Sequence, residues 1–252
     1  EPNYILSKKD LNGFEQTFSA EDIQTLSQSN TNLATNAPIH ATEVWSAAKS
    51  GVAQPVVAVI DTGLDILHPV LVDSQASWRH PKEIPGNGID DDGNGFVDDI
   101  TGWNFVHNTG YMIDDDGHGT HVSGIILGVG QNIFNSPHPT AKIKIMPLKF
   151  LDSNGLGTTA NAINAIYYAV NNGAKVLNNS WGGSSYSGAL HEAIVYSYQH
   201  GVSFVAAAGN NGADNDFSPM YPASYDVPNV ISVAATTDQD WLATFSNFGH
   251  NS

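Results

Sequence analysis

The stretch VVAVIDTG, residues 56–63, joins a short, continuous apolar run to an aspartate and a glycine. An apolar run of this length followed by turn formers predicts a strand buried on both faces, as in a parallel sheet. Asp61 would then stand at the carboxyl end of the strand, where parallel sheets gather their ligand sites. On these residues alone, an ordinary turn aspartate is an equally good interpretation.

Strand and helix patterns alternate on the C-terminal side of this stretch. Further strands are predicted at Lys142–Phe150, Lys175–Asn178, Val202–Ala208 and Val230–Ala235. One helix between them has Thr158 or Thr159 as its N-cap and ends at Gly173, and a second helix ends at Gly201. This alternation predicts an α/β domain with a parallel sheet and helices on both faces.

The composition narrows the classes of function. The 252 residues carry a formal net charge of −16, which repels nucleic acid and anionic lipid and attracts divalent cations. The absence of cysteine excludes disulfides and thiol catalysis, and no apolar run is long enough to cross a membrane. We therefore expect neither a nucleic-acid nor a membrane partner, and we expect a monomer.

A histidine motif follows in the segment HGTHVSG, residues 118–124. It opens an apolar helical stretch, and the glycine after His118 leaves one face of the ring uncrowded, as a general base requires. A metal site formed by His118 and His121 is the less favoured alternative. The zinc-peptidase helix spaces its histidines four apart with a glutamate between them, and no glutamate lies here.

The predicted strand Val202–Ala208 ends in Gly209 and Asn210. Such a strand can aim one side-chain amide into a cleft, where an amide donor stabilises a developing oxyanion. Taken alone, Asn210 is better explained as a turn residue. The order Asp61, His118, Asn210, with a serine expected last, is however the order of the subtilisin-type catalytic groups.

These motifs resemble those of subtilisin-like serine peptidases, the subtilase family, from about Ala41 onward. The matching stretches are Val57–Gly63, Gly117–Gly124, Lys149–Thr159, Val176–Gly183, Val205–Gly212, Tyr221–Tyr225, Pro228–Ala235 and Phe245–Gly249. The resemblance implies a subtilisin-like three-layer sandwich. It also implies that Asp61 is the orienting acid, His118 the general base and Asn210 the oxyanion donor of an endopeptidase.

The same resemblance implies a groove for a protein or peptide substrate in extended conformation. Its edge segment would be Gly155, Leu156 and Gly157. Its opposite wall would be Ser180, Trp181 and Gly182, although ordinary packing explains Trp181 equally well. The pocket for the side chain before the scissile bond would be lined by Ala207, Ala208 and Gly209, whose small size favours apolar or aromatic substrate side chains.

The family's nucleophile lies in a Gly-Thr-Ser segment, and no such segment occurs in these residues. We expect the chain to be a fragment that stops before the catalytic serine and is inactive by itself. The alternatives are a catalytically dead, peptide-binding homologue and an enzyme completed by a second polypeptide. Residues 1–40 are polar and are interpreted as a leader before a catalytic domain at 41–252. Glu1-Pro2-Asn3-Tyr4 resembles the tail of the family's inhibitory propeptide.

The segment GNGIDDDGNGFVDD, residues 86–99, predicts a calcium site. In the register of an EF-hand loop, the ligands are Asp90, Asp92, Asn94, the Phe96 carbonyl and Asp98. Position twelve is Thr101 in place of the usual glutamate. The alternative is a solvated acidic turn, but like charges packed so closely favour a counter-ion, and subtilases with a similar insertion bind calcium there.

Two other places bear on cation binding. The run Asp114-Asp115-Asp116 is either another cation site or a polar loop. The family's usual His-Pro-Asp is His68-Pro69-Val70 here, which puts a second family calcium site in doubt. A structural calcium ion and the absence of disulfides suit a secreted or cell-surface protein of bacterial type.

Overall fold

The computed structural model describes residues 5–7, 54–74, 76–134, 143–237 and 239–250, so most of the predicted leader lies outside the described residues. The strands are β1 Ile5–Ser7, β2 Val56–Asp61, β3 Trp103–Asn104, β4 Lys144–Lys149, β5 Leu156–Thr158, β6 Val176–Asn179, β7 Ser203–Ala207 and β8 Val230–Val233. The helices are α1 Pro69–Ser74, α2 His118–Phe134, α3 Thr159–Asn171 and α4 Gly188–Gln199. None of the helices in these ranges is long and apolar enough to span a bilayer.

Six strands form one sheet in the order β3-β4-β2-β6-β7-β8, and every neighbouring pair is parallel. The strand that contains Asp61, β2, lies inside this sheet between β4 and β6. Parallel neighbours have their carboxyl ends at one edge of the sheet. The residues that follow β2, β6 and β7 are therefore brought to that edge together.

Helices cover both faces of the sheet, and the side chains of β2 alternate between the two apolar clusters on these faces. Ala58 and Ile60 pack with the residues of α3 and α4, whereas Val57 and Val59 pack with Leu127 of α2. Burying a side chain such as Val59 or Ile60 contributes about 1.5–3 kcal/mol, so this strand is firmly held. The predicted α/β fold with a parallel sheet between helices is confirmed.

The element bounds follow the predicted ones closely. The strand predicted at Lys142–Phe150 is observed at Lys144–Lys149, and α3 and α4 end just before Gly173 and Gly201. Thr158 is the N-cap of α3, and its hydroxyl accepts the Asn161 N–H at 3.2 Å. Of the two candidate caps, the earlier threonine is the one used.

A small second sheet lies apart from the main one. It consists of β1, from the leader, paired antiparallel with β5, with Leu6 opposite Gly157. The segment expected to bind extended peptide is thus paired in the structure with another part of the same chain.

Candidate active site

Asp61 and His118 meet at the carboxyl edge of the sheet. Asp61 is the last residue of β2 and is fully buried, and His118 is the first residue of α2 with its side chain 25% exposed. The distance between His118 Nδ1 and Asp61 Oδ1 is 2.7 Å. A carboxylate only accepts hydrogen bonds, so Nδ1 is the nitrogen that carries the proton. This tautomer leaves Nε2 as the basic atom of the ring.

Thr62 connects the acid to the start of the histidine helix. Its backbone N–H donates to Asp61 Oδ1 at 2.7 Å. Its hydroxyl donates to Asp114 Oδ1 and accepts the Gly119 N–H, both at 2.9 Å. Thr62, which follows Asp61, is therefore hydrogen-bonded to Gly119, which follows His118. This arrangement fixes the approach of strand β2 to helix α2.

Two of the three consecutive aspartates before His118 hydrogen-bond to the first turn of α2. The Asp114 carboxylate accepts the Thr120 N–H and hydroxyl as well as the Gly117 N–H, and Asp116 accepts the His118 N–H at 3.1 Å. Burial alone would raise the pKa of Asp114, but the hydrogen bonds from Thr120, Gly117 and Thr62 hold this pKa below its ordinary value. Of the two interpretations offered for this run, the structure favours a polar loop that supports the site.

Asn210 follows β7 at the same sheet edge and is partly exposed. Gly209 before it has φ of +120°, and a Cβ at this position would collide with the Asn247 side chain. Asn247 Oδ1 accepts the Asn211 N–H at 2.8 Å, and its Nδ2 donates to Asn215 Oδ1 at 2.9 Å. Two buried asparagines thus hold the turn that presents Asn210.

The predicted groove edge forms a short strand outside the main sheet. Leu156 and Gly157 lie in β5, and Gly155 precedes it in a turn. Phe150 lies directly behind Gly157, so that a larger residue at 157 would collide with its ring. The backbone of β5 is paired with β1, in the way that an extended peptide would pair when it adds a strand to a groove edge.

The predicted opposite wall departs from expectation at Trp181. Its side chain is fully buried and packs edge-on against Phe150 with ring centroids 4.9 Å apart. Trp181 therefore belongs to the core behind the groove, so ordinary packing is the better explanation of this residue. Gly182 is also buried, whereas Ser180 is half-buried and accepts a hydrogen bond from Asn178.

A small pocket of about 180 Å³ opens between β6 and β7. Its lining includes Ser180, predicted for the opposite wall of the groove, and Ala207, predicted for the pocket of the side chain before the scissile bond. Ala208 and Gly209 are buried next to Ala207 and contribute no lining to this pocket. The small side chains at the end of β7 account for the room.

The acidic loop gathers carboxylates around Glu83. Ligand atoms of Glu83, Asp90 and Asp92 lie within 4.8 Å of one another, as do those of His80, Glu83 and Asp99. Glu83 Oε2 and Asp99 Oδ1 are buried and have no hydrogen-bond partner among the described residues. Buried carboxylate oxygens without donors are costly unless a cation compensates them. The donor set, rich in oxygen, suits a hard divalent cation.

Two of the predicted EF-hand ligands lie in this carboxylate cluster. Asp90 and Asp92 join the cluster, but Asp98 accepts the N–H groups of Gly86 and Gly88 at 2.8 and 2.9 Å. Asn94 Oδ1 accepts the Phe96 N–H at 2.7 Å, and the Phe96 ring packs against Trp103. These hydrogen bonds shape the turn, as do those that Asp90 accepts from the N–H groups of Gly93, Asn94 and Gly95. Glu83 and Asp99 add buried carboxylate oxygens to the cluster.

Sequence reasoning missed several residues of the site. The sequence pattern gives Asp99 only as the end of the loop, and it assigns no role to Glu83, which precedes the loop. Lys149 lies beside Asp61 in the sheet and is fully buried. A lone lysine in the apolar run Ile145–Leu151 is the signal that could have identified it.

The comparisons with known proteins agree with this fold. A profile of the Subtilase family matches residues 53–252. The chain is 37% identical over 205 residues to the Thermophilic serine proteinase of Bacillus sp. (strain AK1), covering 81% of this chain and 44% of that protein. It is 34% identical over 211 residues to Thermitase of Thermoactinomyces vulgaris, covering 84% of this chain and 64% of that protein.

Solved structures show the same likeness. A cold-adapted subtilisin-like serine proteinase matches with a TM-score of 0.56 at 29% identity, over 80% of this chain and 62% of that one. A lanthipeptide protease matches with a TM-score of 0.58 at 27% identity, over 86% of this chain and 62% of that one. The parallel three-layer fold and the paired acid and histidine define a subtilisin-like domain. This chain belongs to the subtilase family, and it spans less than two thirds of these relatives' lengths.

Proposed function

We propose that the protein is a serine endopeptidase that hydrolyses peptide bonds through an Asp-His-Ser triad. The observation that carries the proposal is the 2.7 Å contact between His118 Nδ1 and the buried Asp61 carboxylate. In this role Asp61 fixes the ring tautomer, and His118 Nε2 takes the proton of the nucleophile and returns it to the leaving amine. The Asn210 amide donates to the oxyanion of the tetrahedral intermediate.

The nucleophile in this proposal is a serine outside the 252 residues, in the part of subtilases that this chain does not span. In subtilisin, a member of the family, loss of the nucleophile costs about 10⁶-fold in turnover. The 252-residue chain by itself is therefore expected to be practically inactive. Its contribution is the acid, the base, the oxyanion donor and most of the groove.

The substrate is an extended peptide that pairs with β5. The support is the existing pairing of β1 with β5, which has the antiparallel register that an added strand would adopt. The small residues beside the 180 Å³ pocket favour apolar or aromatic side chains before the scissile bond.

The test is labelling of the complete protein by a serine-directed phosphonate. The 252-residue chain is joined to the polypeptide encoded downstream, or mixed with it, and covalent label and peptide hydrolysis are measured. We expect labelling that is lost in the complete His118→Ala protein and strongly reduced in Asp61→Asn. No labelling of a folded, complete protein would contradict the proposal.

The second candidate is a peptide-binding module without catalysis, which the pairing of β1 with the groove edge β5 supports. It predicts that the complete protein binds extended peptides in the same groove without being labelled. Calorimetry with a non-cleavable peptide, run beside the phosphonate assay, distinguishes the two functions.

A calcium ion bound by Glu83, Asp90, Asp92 and Asp99 is part of the proposed function. The buried oxygens of Glu83 and Asp99 without hydrogen-bond partners support it. His80 is left out of the ligand set, because its Nε2 contacts Asn172 Oδ1 at 2.8 Å and calcium prefers oxygen ligands. The ion would neutralise the carboxylates and has a structural role.

Calcium removal tests this ligand set. At calcium concentrations about 100-fold above Kd, binding adds about 2.7 kcal/mol, so EDTA should lower the melting temperature by about 5–10 °C. Glu83→Gln should abolish most of this difference. The control is Glu192→Gln, the same change at a side chain that is 74% exposed, which should retain it. An EDTA-insensitive melt of the unmodified chain, with no heat of calcium binding, would rule the site out.

The leader is proposed to occupy the groove as part of an inhibitory propeptide, and the protein is proposed to act outside the cell. The pairing of Ile5–Ser7 with β5 supports the first point. Removal of residues 1–40 should therefore strengthen binding of a non-cleavable peptide at least tenfold. Equal affinity before and after removal would exclude a groove-blocking leader.

A further inference from the structure

Lys149 is a buried cation next to the catalytic acid. It is the last residue of β4 and lies opposite Asp61 in the register of the sheet. Its side chain is 0% exposed and lies between the apolar neighbours Leu148 and Phe150. Placing an ammonium group in the core is costly unless its protons are fully bonded. An apolar residue would fill this space at lower cost, so the charge needs another explanation.

The ammonium group uses all three of its protons. Nζ donates to the Thr62 carbonyl at 2.6 Å, to Asp115 Oδ1 at 2.7 Å and to the Leu151 carbonyl at 2.8 Å. An ammonium group has three donors, so this set satisfies it completely.

The three acceptors come from three different parts of the site. Thr62 directly follows the acid Asp61. Asp115 lies in the loop that leads into His118. Leu151 lies in the turn between β4 and the groove edge β5 and forms a bridge to Gly157. One buried group thus connects the acid, the base and the substrate-binding edge.

The hydrogen bond from Lys149 to the Thr62 carbonyl complements the hydrogen bonds that the Thr62 hydroxyl makes. Its hydroxyl already bridges Asp114 and the Gly119 N–H, so its carbonyl is the remaining polar atom. With Lys149 bound to that carbonyl, every polar atom of Thr62 is fixed. The Thr62 N–H also donates to Asp61 Oδ1, so a shift of Thr62 would move the Asp61 carboxylate relative to the ring.

We propose that Lys149 is a positioning residue that keeps the Asp61 carboxylate and the His118 ring in line. It acts through Thr62 and Asp115, and no hydrogen bond of the described residues joins its Nζ to the ring itself. The effect on catalysis rests on the proposed endopeptidase function, whereas the effect on the acid–base geometry does not.

The first experiment reads the ring directly in the 252-residue chain. Histidines are labelled with ¹⁵N, and the His118 signals are assigned by their loss in His118→Gln. The ring ¹⁵N shifts report which nitrogen carries the proton. We expect the Nδ1–H form in the unmodified chain. Lys149→Met should shift it toward the tautomer mixture of an unconstrained imidazole.

The matched control is Lys144→Met, the same change at the other end of β4, which should leave the ring signals unchanged. If Lys149→Met does not fold, Asp115→Ala takes its place, because Asp115 is 31% exposed and loss of its carboxylate leaves Lys149 two acceptors. Unchanged His118 signals in folded Lys149→Met, or in Asp115→Ala where the former does not fold, would overturn the proposal.

The second experiment uses the complete enzyme and separates kcat from KM. Because a misplacement of about 1 Å can cost about 10²-fold, Lys149→Met should lower kcat by 10- to 100-fold with KM within about twofold. An active enzyme with unchanged kcat in Lys149→Met would refute the positioning role. An inactive complete protein whose ring signals still respond to Lys149 would refute only the proposed function.

Discussion

Single polar atoms decide the geometry of this site. The Thr62 hydroxyl and the Asp114 carboxylate bond the strand of the acid to the helix of the base. Each of these groups lies within four residues of a predicted catalytic residue. The sequence indicates only a cation site or a polar loop for the run that contains Asp114, and it assigns no role to Thr62. Their importance depends on which atoms approach one another in the folded chain. The sequence alone does not give this information.

Asp114 makes the stability of the site depend on pH. Because folding holds its pKa below the ordinary value of 3.8, its hydrogen bonds stabilise the folded state above about pH 4. This stability is lost as the pH falls through the lowered folded-state pKa. Asp114→Asn should reduce the free energy of unfolding by about 1–2 kcal/mol at pH 7, and the difference from the unmodified chain should shrink near pH 3.

Urea unfolding at the two pH values measures this effect. Asp226→Asn, a change at an exposed side chain, serves as the control and should stay within about 0.5 kcal/mol of the unmodified chain. A difference for Asp114→Asn that is the same at both pH values would contradict the assignment of the effect to the carboxylate.

Tyr168 links helix α3 to the acidic loop. Its hydroxyl donates to Asp99 Oδ2 at 2.6 Å, and its ring packs against Phe96. Burial, and then the bond to Asp99, raise the pKa of this hydroxyl far above its ordinary value. Tyr168→Phe keeps the ring and removes one buried, charge-assisted bond, so we expect a loss of about 2 kcal/mol in unfolding free energy.

The matched control is Tyr196→Phe, which removes an exposed bond from the hydroxyl to Asn171. It should cost no more than about 0.5 kcal/mol in the same urea titration. Equal losses in the two variants would show that burial of the Asp99 bond is unimportant.

At the scale of elements, the long strands and helices were predictable and the short strands were not. An apolar run of five residues and an end at Gly173 or Gly201 are local signals, and they predict β2, α3 and the end of α4 nearly to the residue. Strands β1, β3 and β5 have two or three residues each, and they exist only through pairing with distant segments. Local pattern cannot predict such strands.

The candidate site likewise has one part that local sequence signals predict and one part that they do not. The meeting of Asp61 and His118 follows from two local signals, a strand end and a helix start, which the parallel sheet brings to one edge. The carboxylates around Glu83 belong to residues up to sixteen positions apart, which the course of the loop brings together. A fixed ligand register could therefore identify Asp90 and Asp92 but not Asp99.

Thr158 has two functions as an element boundary, because it ends β5 and caps α3. Thr158→Ala removes the hydroxyl that accepts the Asn161 N–H and should reduce the unfolding free energy by about 1 kcal/mol. Thr158→Ser keeps an acceptor and should recover most of this loss. The result is read from urea midpoints at constant m-value, and indistinguishable midpoints for the two variants would argue against the cap.

For the whole molecule, the dominant property is the net charge of −16. Mutual repulsion destabilises the compact state, and salt screens it within about 10 Å at 0.1 M. In EDTA, raising NaCl from 20 to 200 mM should therefore stabilise the chain by about 1 kcal/mol, or about 2–4 °C in melting temperature. KCl should act equally. A melting temperature that falls with salt would mean that attractive ion pairs outweigh the repulsion.

The pairing of β1 with β5 has a consequence for every binding measurement on this chain. A strand that belongs to the same polypeptide competes at an effective concentration set by the connecting chain, not by the amount of protein in the sample. Diluting the protein leaves this competition unchanged, whereas an added peptide must exceed the effective concentration before it displaces the strand. The apparent affinity of a ligand would then depend on the connecting chain as much as on the groove. Cleavage of the chain between β1 and β2 would make the β1 segment a separate competitor, which dilution can remove.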